Sequence, residues 1–263
     1  MSGKIAIVTG ASSGLGREYV SQLLKKNCLD EIWVIARRKE RLDELSKRTL
    51  SSGNTCTIRP IPLDLVCQES FEVISTILRK EKPSVQYLVN AAGFGKIGSW
   101  KDISLDDCSS MIDLNCKAAV NITQLVLPYM NKGSCILEIC STAAFQPFPY
   151  LGVYSATKSF LYRYSRSLRM ELMGTGIHVT AVCPYWIRDT EFISNAQETG
   201  NSSFIRHFPL ASRSRNVVKR SLADAKLGLP VSTPGPVCTI HRLAAKFIPS
   251  ELMMGIWELI RRI

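Results

Sequence analysis

The sequence predicts an α/β protein: one doubly wound, mainly parallel sheet with helices on both faces, in a single domain over 1–263. Three observations carry that prediction. Short β-branched or apolar runs alternate with helical stretches along the chain, the pattern of repeated βα units. The first run, Lys4 to Thr9, leads at once into the turn Gly10-Ala11-Ser12-Ser13-Gly14-Leu15-Gly16 and then into a helical pattern to about Lys26. Asp64, Asn90, Ser141 and Pro184 stand at the carboxyl ends of later runs, which is where ligands lie in open α/β sheets. A chain of 263 residues suits one large core, and no linker divides it.

Taken in order, the first strand, glycine turn and helix form a phosphate-binding arrangement. Gly10 permits the tight turn, Gly14 lets the backbone approach a pyrophosphate, and Gly16 lets the helix pack closely on the strand, with its N-terminus toward the anion. A second strand, Glu31 to Ala36, ends where an NAD enzyme presents Asp or Glu to the ribose 2′-hydroxyl. Here that place holds Ala36-Arg37-Arg38. The acid is missing and two guanidiniums stand where a 2′-phosphate lies, so NADP(H) is the expected cofactor. The plainer reading is that both arginines open the charge-rich helix from Lys39 to Arg48.

Further strands are expected near Cys56 to Leu63, Gln86 to Asn90, Cys135 to Cys140, Ile177 to Cys183 and Val231 to Thr233. Helices are expected near Glu69 to Lys80, over a long span from Leu105 to Tyr129, and from Tyr150 to Met173, Asn216 to Leu227, Val237 to Phe247 and Ser250 to Arg262. The segment 184–235 then forms a substrate loop, a helix and the last strand, and 236–263 a helical extension.

The stretch from Cys140 to Lys158 carries the chemistry. Tyr154 and Lys158 share one helix face at i and i+4, and Ser141 follows a strand. An ammonium beside a phenol favours the phenolate, which lowers a pKa of about 10 toward neutrality and makes the phenol a proton donor or acceptor. Ser141 adds a hydroxyl that both donates and accepts. The plainer reading of the pair alone is packing with a snorkelling head.

Hydrophobic residues make up 46% of the chain and charged ones 21%, which excludes a disordered protein. No apolar run reaches the length of a membrane span, and a strand starting at Lys4 leaves no room for a signal peptide, so a soluble cytoplasmic protein is expected. Nine cysteines without a C-x-x-C pair read as scattered small hydrophobes, Cys140 included, and no metal site is expected. The net charge is +11, and from Arg206 onward ten Lys or Arg face three acids. No nucleic-acid motif accompanies that excess, so nucleic acid is not an expected partner.

In these residues the chain resembles the short-chain dehydrogenase/reductase family, of Rossmann type: TGASSGLG at 9–16, Asp64-Leu65, NAAG at 90–93, Asn115, Ser141, YSATK at 154–158, and Pro184 with Thr190. The resemblance covers essentially the whole chain. It implies that Tyr154 is the general acid in carbonyl reduction and the base in alcohol oxidation, that Ser141 holds the reacting oxygen, and that Lys158 lowers the tyrosine pKa and holds the nicotinamide ribose. Asn115 is implied to shape its helix so that a water links Lys158 to solvent. Implied cofactor contacts are Gly10, Ser12, Ser13, Gly14, Leu15, Gly16, Arg37, Arg38, Asp64, Leu65, Asn90, Tyr154, Lys158, Ile187 and Thr190, with a homodimer or homotetramer as the assembly. Two positions depart from the pattern: Ala91 replaces a second asparagine, and Tyr185 stands where a glycine commonly follows the proline.

Specificity should lie in the loops after the fifth and sixth strands, which hold Phe145, Pro147, Phe148, Pro149, Tyr150 and Leu151, then Tyr185, Trp186, Ile187, Phe192, Ile193 and Phe204. That lining suits a bulky apolar carbonyl or alcohol, such as a steroid or long-chain carbonyl. The last helix has three roles open to it: covering the pocket, joining a subunit interface, or lying on a membrane surface. Docking on its own domain is the default. The expectation is an NADP(H)-dependent carbonyl reductase or alcohol dehydrogenase. The alternative is a dinucleotide-binding regulatory or scaffold protein.

Overall fold

The computed structural model describes residues 3–26, 28–51, 54–205, 207–208 and 210–261. Seven parallel strands form one sheet in the order β3-β2-β1-β4-β5-β6-β7. They are β1 (Lys4–Thr9), β2 (Glu31–Ala36), β3 (Thr57–Pro62), β4 (Ser84–Asn90), β5 (Met130–Ile139), β6 (His178–Val182) and β7 (Val231–Ser232). The strand order reverses between β1 and β4, and a crevice opens at such a point beyond the strand ends. Pro60 and Pro62 sit in β3 because it is an edge strand, where a missing N–H breaks no central ladder.

The strands are buried on both faces, so alternate residues feed two cores. Ala6 and Val8 of β1 meet Tyr19, Val20 and Leu23 of α1 (Gly14–Leu24), Leu42 of α2 (Lys39–Ser51) and, further along this core, Leu222. Ile5 and Ile7 point the other way, to the core of Phe71, Ile74 and Leu78 from α3 (Glu69–Glu81) with Ile122 and Val126.

The predicted long helix at 105–129 is present, but it is not α-helical throughout. α4 (Leu105–Ile112) and α5 (Ala118–Val126) are joined by a π-helical turn, Asp113–Lys117, and a short 3₁₀ turn, Leu127–Tyr129, leads into β5. Single π turns are frequent at functional positions, and this one contains Asn115. α6 (Gly152–Glu171) carries Tyr154 and Lys158, and a short unpredicted helix, α7 (Phe192–Ala196), follows β6. The chain ends in α8 (Ser214–Lys226), α9 (Pro236–Phe247) and α10 (Ser250–Ile260). Arg206 and Arg262, counted in the basic C-terminal segment, lie outside the described residues. Among the described residues no helix is long and apolar enough to cross a membrane, and no group of metal-ligating side chains converges.

Candidate active site

Beyond the strand ends runs one cleft of about 650 Å³. The glycine turn lines one end and Phe148, Leu151, Trp186 and Phe192 line the other, with Ser141, Tyr154 and Lys158 between. At the first end a Cβ on Gly16 would lie 2.3 Å from the Gly10 carbonyl oxygen, so only glycine lets α1 start this close to the strand. Gly14 has φ +51, and its own Cβ would meet only the Thr190 side chain, at 3.5 Å. Ser13, the N-cap of α1, makes no capping bond from its side chain, and the first turn has no acid, so the chain itself does not neutralise the helix N-terminus. These features fit the pyrophosphate of a dinucleotide.

Ser141, two residues past the end of β5, caps the short turn Thr142–Ala144, its hydroxyl accepting from the Ala143 N–H at 3.1 Å. Tyr154 and Lys158 are both buried. Lys158 Nζ donates to the Ile139 carbonyl at 2.7 Å and lies 5.8 Å from the Tyr154 ring centroid. Burial disfavours both charged forms: it pushes the Lys158 ammonium down and the Tyr154 phenol up, the Ser141 hydrogen bond acting in the opposite direction on the phenol. The expectation of a phenol drawn toward neutrality by Lys158 is therefore corrected for this state. Desolvation is the larger influence, and the ammonium is directed at the strand carbonyl.

Asn115 is not solvent-facing. It is fully buried, accepts from the Phe94 N–H at 3.0 Å, and donates to the Phe94 carbonyl at 2.9 Å and to the Thr157 hydroxyl at 3.0 Å. A Cβ on Gly93 would come within 2.7 Å of Asn115 Oδ1 and 3.4 Å of Lys158 Nζ, so Gly93 keeps a passage between the two.

Of the residues expected at the cofactor, Gly10, Ser12, Ser13, Gly14, Leu15, Gly16, Arg37, Arg38, Asp64, Leu65, Tyr154, Lys158, Ile187 and Thr190 line the cleft. Asn90 does not. Its amide turns inward, donating to Thr123 Oγ1 at 2.8 Å and Glu138 Oε1 at 2.9 Å. Register explains this, since Asn90 of β4 pairs with Glu138 of β5, a buried carboxyl that needs donors. Burial raises Glu138 to about 7.

Arg37 and Arg38 also part company. Arg37 is mostly exposed, 3.9 Å from Asp64, whereas Arg38 donates to Ser13 Oγ at 2.7 Å, Ser12 Oγ at 3.1 Å and Glu191 Oε2 at 2.9 Å. Glu191 and Lys96 line the cleft without having been singled out by sequence, because each reaches it across the fold. Phe148, Leu151, Tyr185, Trp186, Ile187 and Phe192 line it as expected. Phe145 instead packs edge-on against Tyr162, and Tyr150 stacks on Phe204 at 4.0 Å. Cys140 is buried, and burial raises its thiol well above the ordinary range, as for an inert strand residue.

The family model for short chain dehydrogenases matches residues 4–201. Human very-long-chain 3-oxoacyl-CoA reductase is 30% identical over 234 residues, covering 84% of this chain and 73% of its own. Sulfoacetaldehyde reductase 2 of Chromohalobacter salexigens is 33% identical over 195 residues, covering 72% and 74%. Among solved structures, a short-chain dehydrogenase from Sphingobium yanoikuyae in complex with NADPH superposes with a TM-score of 0.80 at 25% identity over 95% of each chain. The bulky-bulky ketone specific alcohol dehydrogenase from Comamonas testosteroni does so at 0.74 and 26%, over 98% of this chain and 94% of its own. Sheet order, glycine turn and matched sequence agree: the chain belongs to the short-chain dehydrogenase/reductase family of oxidoreductases.

Proposed function

We propose that this oxidoreductase uses NADP(H) to interconvert a bulky, lipophilic carbonyl compound and its secondary alcohol, with Ser141, Tyr154 and Lys158 as the reacting groups. The observation that carries this reading is the continuity of the cleft: the glycine turn and Arg38 at one end, the buried phenol in the middle, an aromatic wall at the other. NADPH in the Sphingobium neighbour and a bulky ketone in the name of the Comamonas neighbour support the two finer parts.

When bound, the nicotinamide supplies or accepts the hydride. Everything else falls to the chain. Gly10, Gly14, Gly16 and the N-terminus of α1 would hold the pyrophosphate, and Asp64, Leu65, Ile187 and Thr190, which line the same cleft, would hold the rest of the dinucleotide. In reduction Tyr154 gives its phenolic proton to the carbonyl oxygen while Ser141 donates a hydrogen bond to the same atom, so the developing alkoxide is neutralised as it forms. Lys158, restrained by the Ile139 carbonyl, would hold the ribose, and its ammonium stabilises the phenolate that remains. In oxidation Tyr154 takes the alcohol proton instead. Asn115 acts through position, fixing the π turn to Phe94 and Thr157.

The test is a panel of lipophilic ketones and alcohols followed by NADPH absorbance on the purified protein. Turnover of bulky ketones with NADPH supports the proposal. Tight NADPH binding without turnover across the panel favours a regulatory dinucleotide-binding protein.

A further inference from the structure

Arg38 and Arg41 both converge on one carboxylate. Arg38 Nη1 donates to Glu191 Oε2 at 2.9 Å, and Arg41 Nη1 donates to Glu191 Oε1 at 2.6 Å. Glu191 comes from the loop after β6, 153 residues from Arg38. It thereby closes this end of the cleft, beside Ser12 and Ser13, whose hydroxyls accept from Arg38 Nε and Nη2. Two guanidiniums aimed at the two oxygens of one anion make a preformed anion site, with an anion from the chain itself already in it.

We propose that Arg38 and Arg41, rather than Arg37 and Arg38, form the site for the cofactor's 2′-phosphate, and that Glu191 occupies this site from within the chain until the phosphate takes its place. This rests on the NADP(H) reading above. A phosphate monoester carries nearly twice the charge of a carboxylate and three acceptor oxygens, so it competes well for the same two forks. The exchange costs Glu191 little. Its side chain is 42% exposed, and ion pairs with half-exposed arginines are weak enough for the carboxylate to swing into water. Both arginines hold Glu191 below the usual carboxylate range, so it is charged and competes as an anion at neutral pH.

The exchange also reaches the reacting end of the cleft. Phe192, the next residue, opens α7, and its ring lies 5.5 Å from that of Tyr154 and 6.4 Å from Trp186. Glu191 on Arg38 and Arg41 therefore pins the segment that carries a wall of the substrate pocket, and its release frees that segment.

The test compares 2′,5′-ADP with 5′-AMP, which differ only in the 2′-phosphate, by isothermal titration calorimetry. Glu191→Gln should tighten 2′,5′-ADP about fivefold to tenfold and leave 5′-AMP within about twofold, since a neutral side chain competes poorly for two guanidiniums. Arg41→Ala should weaken 2′,5′-ADP about tenfold, again sparing 5′-AMP, and Arg41→Lys should restore only part of the loss. Both positions are half-exposed side chains, and melting curves check that the three variants fold. If the unaltered protein binds the two nucleotides equally, the NADP(H) reading fails and takes this inference with it. If it prefers 2′,5′-ADP but Glu191→Gln and Arg41→Ala leave that preference unchanged, the inference alone falls. A loss of 5′-AMP affinity in Glu191→Gln would also overturn it, by making Glu191 a ribose-hydroxyl acceptor.

Discussion

Asn115 donates to the Thr157 hydroxyl at 3.0 Å, tying the π turn between α4 and α5 to the residue that precedes Lys158 on α6. The same amide satisfies both backbone groups of Phe94. Replacing Asn115 by Leu removes all three partners inside the core and leaves the Phe94 groups unpaired. We expect a loss of about 2–4 kcal/mol in chemical denaturation, together with a turnover loss larger than the stability change explains. Unchanged stability would mean that the turn is held by the backbone alone.

Cofactor preference is expected to follow Arg38 more than Arg37, because Arg38 is clasped over the glycine turn while Arg37 is 71% exposed. NADPH should bind about 100-fold tighter than NADH by fluorescence titration, given the strength of charge-assisted bonds to phosphate. Arg38→Ala should remove most of that ratio and Arg37→Ala little. Ala36→Asp should move the preference toward NADH by supplying the acid that a 2′-hydroxyl requires. Equal affinities in the unaltered protein would overturn the cofactor assignment.

Glu138 makes stability depend on pH. Its folded pKa is raised by burial from an ordinary carboxylate value to about 7, so the folded state binds the extra proton between those two values. Stability is therefore full below about pH 4.5 and is lost as pH rises through about 7, by roughly 3 kcal/mol in all. Glu138→Gln keeps an acceptor for Asn90 and Thr123 and cannot ionise. It should be more stable than the unaltered protein at pH 8 and show little advantage at pH 5, as read from urea midpoints. An identical pH dependence in the two proteins would place the effect elsewhere.

The direction of the Tyr154 shift fixes the expected pH profiles. Burial raises the phenol above its ordinary value, so it is protonated at neutral pH and ready to act as an acid. Carbonyl reduction should be nearly flat from about pH 6 to 8 and fall in more alkaline solution, while alcohol oxidation should climb across that alkaline range. Bound cofactor and Lys158 act to bring the turning point down. A reduction rate that rises with pH would contradict Tyr154 as the proton donor.

Much of this was legible in the chain because it is local. The glycine turn, the βα alternation and the four-residue step from Tyr154 to Lys158 each sit within one unit of structure, and all appear where the pattern puts them. What was not legible depends on partners far away in sequence. Asn90 turns from the cleft because register brings Glu138 beside it, 48 residues on. Glu191 reaches Arg38 only across the closed fold. The π turn inside the long helix is not legible because its residues stay helical and keep facing the core, with Cys116 and Asn115 both buried. Sequence spacing gives the ammonium's neighbourhood to the phenol but not the burial of either group, and burial is the larger influence on both.

The central claim is that Tyr154 is the proton donor and acceptor of this oxidoreductase, and Tyr154→Phe tests it most directly. With a ketone that the unaltered protein reduces, kcat followed by NADPH absorbance should fall at least about 1000-fold, while NADPH affinity stays within a few-fold, because only the hydroxyl is lost. A variant that keeps substantial turnover would show that the proton comes from Ser141 or water, and the assignment of Tyr154 would be wrong.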